Sequence, residues 1–108
     1  MMKDFYYAQY GAGAGDGIGL FYVGSGKVFG IDIGKHKYEG TYVERAGRLI
    51  VEGTLTAGPE GGHLVTGNVV SPGLVLDLTA DWPANFVGQW LDVWVAGRQV
   101  KVQLSSVS

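Results

Sequence analysis

Short stretches in which every second residue is apolar recur along the whole chain, and they constrain its fold more than any other feature. They are spaced by roughly ten residues, and no window shows the 3.6-residue apolar repeat that is typical of a helix. Glycine- or proline-containing segments separate them, such as Gly24-Ser25-Gly26, Arg45-Ala46-Gly47 and Pro72-Gly73. The pattern predicts an all-β chain.

We predict strands near Lys3–Tyr10, Ile18–Val23, Lys27–Ile33, Tyr38–Glu44, Arg48–Thr56, His63–Ser71, Leu74–Ala80, Leu91–Ala96 and Arg98–Leu104. Short connections almost throughout favour a single antiparallel up-and-down barrel of about eight strands over a Greek-key sandwich. The interior of such a barrel is either filled by side chains or holds one small ligand. The one long break, Asp81–Gln89, is predicted to form a turn or a short helical cap over one end.

Length and composition limit the classes of protein to consider. The 108 residues are enough for one domain, so we treat 1–108 as a single β-barrel domain. The absence of cysteine excludes disulfides and thiolate metal sites. The net charge of −2 and eight scattered Lys and Arg residues argue against nucleic-acid binding. No signal-peptide core or membrane-length apolar run is present, and we expect a cytoplasmic protein that binds no membrane.

The last predicted hairpin has the most specific register. Gly97-Arg98 suits a type II′ turn, which has glycine at its first central position. Such a turn pairs the apolar residues of the two strands: Val95 with Val100, Val93 with Val102, and Leu91 with Leu104. The opposite face then carries Trp90, Asp92 and Trp94 against Lys101 and Gln103.

Asp32 lies in an apolar strand, and its direction depends on which face of that strand is buried. Phe29, Ile31 and Ile33 share one face, whereas Asp32 shares the other with Val28 and Gly30. If the first face fills the core, Asp32 points outward or binds amides of the following turn, and we favour this because unpaired buried carboxyls are rare. If the faces are reversed, the interior Asp32 needs partners such as Tyr38 or Tyr42.

Trp90 and Trp94 lie on the polar-looking face of the last hairpin, where two tryptophans are unusual. They could line a cavity, form a subunit interface, or stack under long side chains, with Lys101 over Trp94 as a cation–π pair. Simple packing under the 81–89 segment is an equal alternative. The sequence does not separate these interpretations.

No constellation of residues predicts catalysis or a cofactor. The glycines of Gly11–Gly17 match neither a dinucleotide fingerprint nor a phosphate loop, and we expect a flexible connection that could gate a barrel mouth. His36 and His63 lack a ligand spacing and are predicted to be surface residues near turns. No serine lies in a nucleophile-elbow pattern. We therefore expect a protein that is not an enzyme and has no metal or other cofactor.

A family resemblance is carried by Gly17-Ile18-Gly19, Gly26, Gly30-Ile31-Asp32 and Tyr38-Glu39-Gly40. These elements, after an aromatic opening strand, resemble the GrlR-like family of small regulators, named for a negative regulator of type III secretion gene expression. The resemblance implies a lipocalin-like (calycin-like) barrel of eight strands with an apolar cavity. It also implies a homodimer that binds a protein, the cognate transcriptional activator, and does not touch DNA.

The resemblance also points to the hairpin after the Tyr-x-Gly element. In the namesake, an acidic cluster there is thought to contact the activator. The corresponding segment here is Glu44-Arg45-Ala46-Gly47-Arg48, with two arginines and one acid, so the acidic determinant is missing. Glu44, Arg45 and Arg48 are therefore candidates for a partner contact by family analogy only.

Together these observations predict a non-enzymatic regulatory or binding protein that acts by protein–protein contact. The alternative is a carrier or sensor that holds an apolar small molecule in the barrel. For a ligand cavity or a partner surface, the candidate residues are Asp32, Tyr38, Tyr42, Trp90 and Trp94.

Overall fold

The structure, a computed structural model, describes residues 3–12, 15–64 and 69–107. Within those ranges the chain forms strands and turns and no helix. The strands are β1 (Lys3–Ala12), β2 (Gly15–Gly24), β3 (Lys27–Asp32), β4 (Lys37–Arg45), β5 (Arg48–Thr56), β6 (Gly62–His63), β7 (Val69–Val70), β8 (Val75–Pro83), β9 (Trp90–Val95) and β10 (Arg98–Ser106).

Eight of these strands close a barrel in the order β1-β10-β9-β8-β5-β4-β3-β2. All neighbouring strands in the barrel are antiparallel. Apart from the contact of β1 with β10, which closes the barrel, each barrel strand pairs with the barrel strands before and after it in the chain. The predicted up-and-down barrel of about eight strands is confirmed. Each of the eight strands has a partner on both sides, although β8 and β9 pair only at Leu78–Val95 and Thr79–Trp94.

The predicted strand His63–Ser71 is wrong. The chain instead makes a small separate hairpin of β6 and β7, in which His63 pairs with Val69; residues 65–68 lie outside the described part. Gly61 and Gly62 precede it with φ of +62° and +119°, which bends the chain where a strand would continue straight. Leu64 and Val70 are buried against the barrel, so this segment covers part of one end.

The predicted break at 81–89 begins later than expected, because β8 runs on to Pro83. The remaining residues form a turn and not a helical cap. The Gly88 amide donates to the Leu104 carbonyl at 2.8 Å, and Gln89 N donates to Phe86 O at 3.2 Å. These bonds hold the fully buried Phe86 side chain against the barrel end.

In the glycine-rich segment where we expected a flexible connection, residues 11, 12 and 15–17 are strand. Ala12 pairs with Gly15, Gly11 with Asp16 and Tyr10 with Gly17, so β1 and β2 form one long hairpin. The prediction for residues 13 and 14 falls outside the described part. Packing explains the glycine at position 17, because a Cβ there would overlap the Tyr10 ring. The glycine leaves room inside the barrel for that aromatic side chain.

On β3 the faces are the reverse of those we favoured. Asp32 is only 8% exposed and points into the barrel, whereas Phe29, Ile31 and Ile33 are exposed outside, Ile33 to 75%. The reason lies in the neighbouring strands. The Phe21 ring of β2 occupies the space in front of Gly30, where a Cβ would overlap it. Rings from adjacent strands therefore fill the interior that the side chains of β3 leave empty.

Three two-residue turns share one geometry, in which both central residues have positive φ. The values are +54° and +76° at Ser25-Gly26, +52° and +76° at Ala46-Gly47, and +49° and +79° at Ala96-Gly97. This is the type I′ turn, whose twist matches that of the flanking strands. The predicted Gly97-Arg98 turn is thus wrong by one position.

The register of the last hairpin is displaced from the predicted one by two residues. Val95 pairs with Arg98, Val93 with Val100, and Leu91 with Val102. Because side chains alternate with a period of two, a displacement of two keeps the apolar residues inside and the tryptophans outside. The predicted faces of this hairpin are therefore correct although its pairs are not.

The two ends of the barrel differ. At the closed end, which carries the 25–26 and 46–47 turns and residues 84–89, the interior is filled by one cluster of large side chains: Tyr6, Tyr42, Leu49, Trp82 and Phe86. The Phe86 ring lies 5.5 Å from the rings of both Tyr6 and Trp82. At the other end, the mouth, residues 33–36 and 57–64 surround the opening.

Candidate ligand-binding cavity

Between the closed end and the mouth the barrel encloses a cavity of about 200 Å³. Its walls are mainly apolar, with Phe21, Val28, Val51, Leu78, Val93 and Val102 contributed by six different strands. An apolar protein cavity of about 150 Å³ stays dry and accepts benzene. The barrel interior can therefore hold a compact organic molecule without displacing core side chains.

The cavity reaches the surface at the mouth. Asp16, Ile33, Gly34 and His63 line it there, and all four are exposed. Trp82 forms part of its floor, beside the cluster that fills the closed end. A molecule therefore has a path from solvent to the interior at the mouth.

A polar cluster centred on Asp32 interrupts the apolar wall close to the mouth. The hydroxyls of Tyr10 and Tyr38 donate to Oδ2 of Asp32 at 2.8 and 2.6 Å. The His36 backbone amide donates to Oδ1 at 3.0 Å. The three donors satisfy an aspartate that would otherwise be costly to bury.

The observed position of Asp32 combines the two predicted alternatives, an interior carboxyl with a tyrosine partner and a carboxyl that binds the following turn. Its carboxyl is interior and has Tyr38 as a partner, as the less favoured alternative required. It also stabilises the following turn, because it accepts from His36 N while the Asp32 carbonyl accepts from Lys35 N at 2.9 Å. Lys35 has a φ of +65° in that turn, a conformation that these bonds help to hold.

Burial changes the acidity of the two tyrosines. Burial is the main cause that raises the pKa of Tyr10 well above the usual range, and the hydrogen bond to Asp32 is the second. It also raises the pKa of Tyr38, followed by the nearby Tyr10 and the hydrogen bond to Asp32. Both hydroxyls therefore keep their protons at physiological pH and act as donors to the aspartate.

His36 is buried, at 5% exposure, which corrects its predicted surface position. The Gly58 amide donates to its Nδ1 at 2.9 Å, so Nδ1 carries no hydrogen. This bond joins the 33–36 turn to the segment that follows β5. His63, in contrast, is exposed beside the mouth. Within the described ranges no group of three or more His, Asp or Glu side chains could hold a metal ion.

The structure separates the predicted candidates for the cavity. It brings Asp32 and Tyr38 together in the cavity wall. Tyr42 also points inward but lies in the cluster at the closed end, away from the cavity. Trp90 and Trp94 are 56% and 44% exposed on the outer surface, so neither lines the interior.

The surroundings of the two tryptophans also differ from those predicted. Lys101 does not pair with Trp94; its ammonium lies 2.6 Å from Oδ1 of Asp92, directly across the hairpin. Gln99 donates to the same oxygen at 2.8 Å. The two tryptophans therefore flank a small polar network on the surface.

Glu44, Arg45 and Arg48 surround the 46–47 turn at the closed end, opposite the mouth. Arg48 forms an exposed ion pair with Asp81, in which Nε and Oδ1 are 2.9 Å apart. Exposed pairs of this kind contribute little to stability. The hairpin therefore presents a mostly basic, solvent-accessible surface that is remote from the cavity.

Two features of the candidate site and its surroundings were not predicted from the sequence. One is Tyr10, which belongs to the inner row of β1 with Tyr6 and Ala8. Phe5 and Tyr7 form the outer row of the same strand, so aromatic residues on both faces hid the alternation. A signal existed in the clean Tyr6-x-Ala8-x-Tyr10 spacing beside a glycine-rich partner strand.

The second feature is an apolar patch on the outside of the barrel, which we call the outer aromatic face. It spans β1, β2 and β3 and consists of Phe5, Tyr7, Ile18, Leu20, Tyr22, Phe29, Ile31 and Ile33. The rings of Tyr22 and Phe29 stack at 5.0 Å, and Phe5 lies 5.1 Å from Tyr22. Polar outward rows on β10 and β4 bound it: Lys101, Gln103, Ser105, Lys37, Glu39 and Thr41.

The described residues include no helix long and apolar enough to cross a membrane. No protein-family model, curated protein or solved structure matches this chain. The interpretation of function therefore depends on the cavity and on the outer surface themselves.

Proposed function

We propose that the protein is a non-enzymatic binding protein that takes one small, largely apolar molecule into the barrel. The observation that supports this most directly is the cavity of about 200 Å³, which has apolar walls, one polar cluster and an opening at the mouth. Ligand sites generally combine a concave apolar surface with a few convergent polar groups. This barrel interior has that composition.

The energetics of an unfilled apolar cavity support the same proposal. The cost of an empty apolar cavity rises with its volume. An occupant that fills it would recover contacts that the folded chain alone does not make.

The size of the cavity sets the affinity to expect. A small molecule that buries roughly 200 Å² of apolar surface gains about 5 kcal/mol at ~25 cal/mol per Å². Association also costs translational and rotational freedom, so the dissociation constant is on the order of 0.1 mM at best. Larger or better matched ligands would bind more tightly, and test ligands should be titrated into the millimolar range.

The test is calorimetric titration with a compact neutral ligand, 2-phenylethanol, together with native mass spectrometry of freshly isolated protein. Val28→Phe fills the cavity, because Val28 is half-buried and lines it. Val43→Phe makes the same change on an exposed outward position and is the matched control. We expect binding to be lost in the first variant and kept in the second. Equal binding by both variants would place the ligand outside the barrel.

A second candidate function is protein–protein contact, which the outer aromatic face favours. Apolar patches with a polar rim mark interaction sites on soluble proteins. Seven of its eight side chains are 43–75% exposed, and a standard interface buries about 800 Å² on each partner. Because the face is nearly uncharged and extends over three strands, we propose that its occupant is a second copy of this chain.

The dimer has its own test, independent of the cavity. Phe29→Lys places a charge within the outer aromatic face, and Thr41→Lys places one on the polar row beside it. Sedimentation equilibrium should show a dimer for the native protein and for Thr41→Lys, and a monomer for Phe29→Lys. A native protein that is monomeric at high micromolar concentration would exclude this occupant.

A regulatory contact with another protein is compatible with both proposals. The Glu44, Arg45 and Arg48 hairpin, which the GrlR-like resemblance puts at the partner contact, lies at the closed end. A protein bound there would leave the mouth accessible. Affinity purification with the Arg45→Glu variant as control would report whether that hairpin recruits a stoichiometric partner.

A further inference from the structure

We propose that the molecule held in the barrel carries an amine that is protonated at neutral pH, attached to a compact apolar body. This inference rests on the proposed ligand-binding function and names the chemical class of the ligand. It follows from the charges of the residues around the cavity and from the hydrogen-bonding capacity of the Asp32 cluster.

The charged side chains that line the cavity are of one sign. Asp16 lies at the mouth and Asp32 in the wall, and the described lining residues include no lysine or arginine; Lys35 lies in the 33–36 turn at the mouth but does not line the cavity. Two histidines, His36 and His63, are the other titratable groups besides the tyrosines. Low-dielectric walls concentrate such a potential, so a cation is attracted into the cavity and a carboxylate ligand is repelled.

The Asp32 cluster also presents acceptors in excess of donors. The hydroxyl hydrogens of Tyr10 and Tyr38 both point to Asp32, and the two hydroxyls also interact with each other, so their remaining oxygen lone pairs can only accept. The backbone amide of His36 is likewise used by Asp32. Because Nδ1 of His36 accepts from Gly58, its Nε2 carries the ring hydrogen and can donate. A ligand with several N–H donors fits this polarity better than one with acceptors.

The aromatic rings beside the cluster favour the same head group. Tyr10, Phe21 and Tyr38 line the cavity around Asp32, and the Phe21 and Tyr38 rings lie 4.9 Å apart. Aromatic faces attract cations, most strongly where water is excluded. An ammonium bound at Asp32 would therefore be surrounded by rings and would leave its apolar body among the valines and leucines deeper in the barrel.

The experiment compares three ligands of similar size and shape: 2-phenylethylamine, 2-phenylethanol and phenylacetate, titrated calorimetrically at neutral pH and low salt. A charge-assisted hydrogen bond exceeds a neutral one by enough to give roughly tenfold tighter binding. We therefore expect the amine to bind about tenfold more tightly than the alcohol, and the acid to bind most weakly.

Two Asp→Asn variants locate the preference. In Asp32→Asn the ratio of amine to alcohol affinity should fall from roughly ten to near one. Asp77→Asn, on an exposed outward position of β8, should keep the native ratio. If Asp32→Asn does not fold, Asp16→Asn at the mouth serves instead, with an expected loss of about twofold to threefold in amine affinity alone.

The outcomes distinguish this inference from the function on which it rests. If the alcohol binds in the cavity as tightly as the amine, or if the acid binds best, the amine proposal is overturned and the ligand-binding function stands. If none of the three ligands binds up to the millimolar range, both are overturned. A tenfold preference for the amine that Asp32→Asn abolishes supports both.

Discussion

The Tyr38 hydroxyl donates a hydrogen bond of 2.6 Å to Oδ2 of Asp32, and so joins β4 to the end of β3 inside the barrel. Tyr10 donates to the same oxygen from β1, on the other side of β2. One interior aspartate thereby fixes two aromatic rings of the cavity wall. The cluster is at once a structural element and the polar part of the proposed binding site.

Removal of one of these donors should weaken the barrel. Tyr38→Phe leaves the ring but takes a hydrogen bond from Asp32, and we expect a loss of about 1–3 kcal/mol in the free energy of unfolding at neutral pH. Urea denaturation measures it. The exposed Tyr7, on the outer row of β1, is the matched control, and Tyr7→Phe should change stability far less. Equal losses in both variants would show that the bond to Asp32 contributes little.

The same cluster predicts how stability changes at alkaline pH. The pKa of Tyr38 is higher in the folded chain than in the unfolded chain, where it is near 10. Its contribution is therefore fully present below about pH 10 and is lost as pH rises from there towards the folded-state pKa. We expect the Tyr38→Phe variant to lose stability less steeply in this range, by about 1.4 kcal/mol per pH unit. Denaturant titrations up to about pH 11 compare the two slopes, and parallel slopes would contradict the assignment.

Space in front of Gly17 should be essential for the position of Tyr10. Gly17→Ala would bring a methyl group into the Tyr10 ring, so the ring must move away from Asp32. We expect a cost of about 1–3 kcal/mol, the usual range for overpacking. A double-mutant cycle with Tyr10→Leu tests the cause, because the cost should shrink once the ring is absent. Additive effects of the two substitutions would refute the proposed overlap.

The type I′ turn at Ala96-Gly97 offers a way to stabilise the fold. Both residues have positive φ, a conformation that asparagine adopts more readily than alanine. We expect Ala96→Asn to raise the free energy of unfolding by a few tenths of a kcal/mol to about 1 kcal/mol. Ala96→Val should act in the opposite direction, because a β-branched side chain is strained at this φ. Thermal denaturation of the two variants should shift the Tm to opposite sides of the native value.

Truncation at the closed end should be the most damaging of these changes. The Phe86 side chain is fully buried between Tyr6 and Trp82. Phe86→Ala is expected to cost about 3–5 kcal/mol, as is usual for a large buried aromatic side chain. Phe5→Ala removes an exposed ring from the outer aromatic face and should cost much less. Chemical denaturation compares them, and a small effect at Phe86 would mean that the end is filled by other residues.

Much of the fold could be predicted because turn chemistry and alternation act locally. The strand Arg48–Thr56 was predicted with its observed ends, and its apolar row Leu49, Val51 and Leu55 is buried as expected. The predicted strand at 63–71 is wrong because positive φ at Gly61 and Gly62 turns the chain where that strand would begin. The sequence alone does not show which of the glycines adopt positive φ.

The candidate site was harder to predict for a physical reason. On β1 and β3 both faces carry large apolar side chains, so alternation alone cannot say which face is inside. Burial of Asp32 depends on Tyr10, which is distant in sequence and reaches it only after the barrel closes. Tyr38 is closer to Asp32 along the chain, and a hydrogen bond between them could be predicted as one of two alternatives. The sequence could not show that Asp32 prefers this inward orientation to the outward one.

The cluster at the closed end has a kinetic consequence for any molecule that the barrel holds. Tyr6, Tyr42 and Phe86 fill that end, so among the described residues entry and departure share the route past Asp16, Gly34 and His63. The cavity is open at one end of the barrel and does not run through it as a channel. A protein or a second ligand that contacts the mouth would slow association and dissociation together, and could lengthen the residence of the bound molecule without changing its affinity.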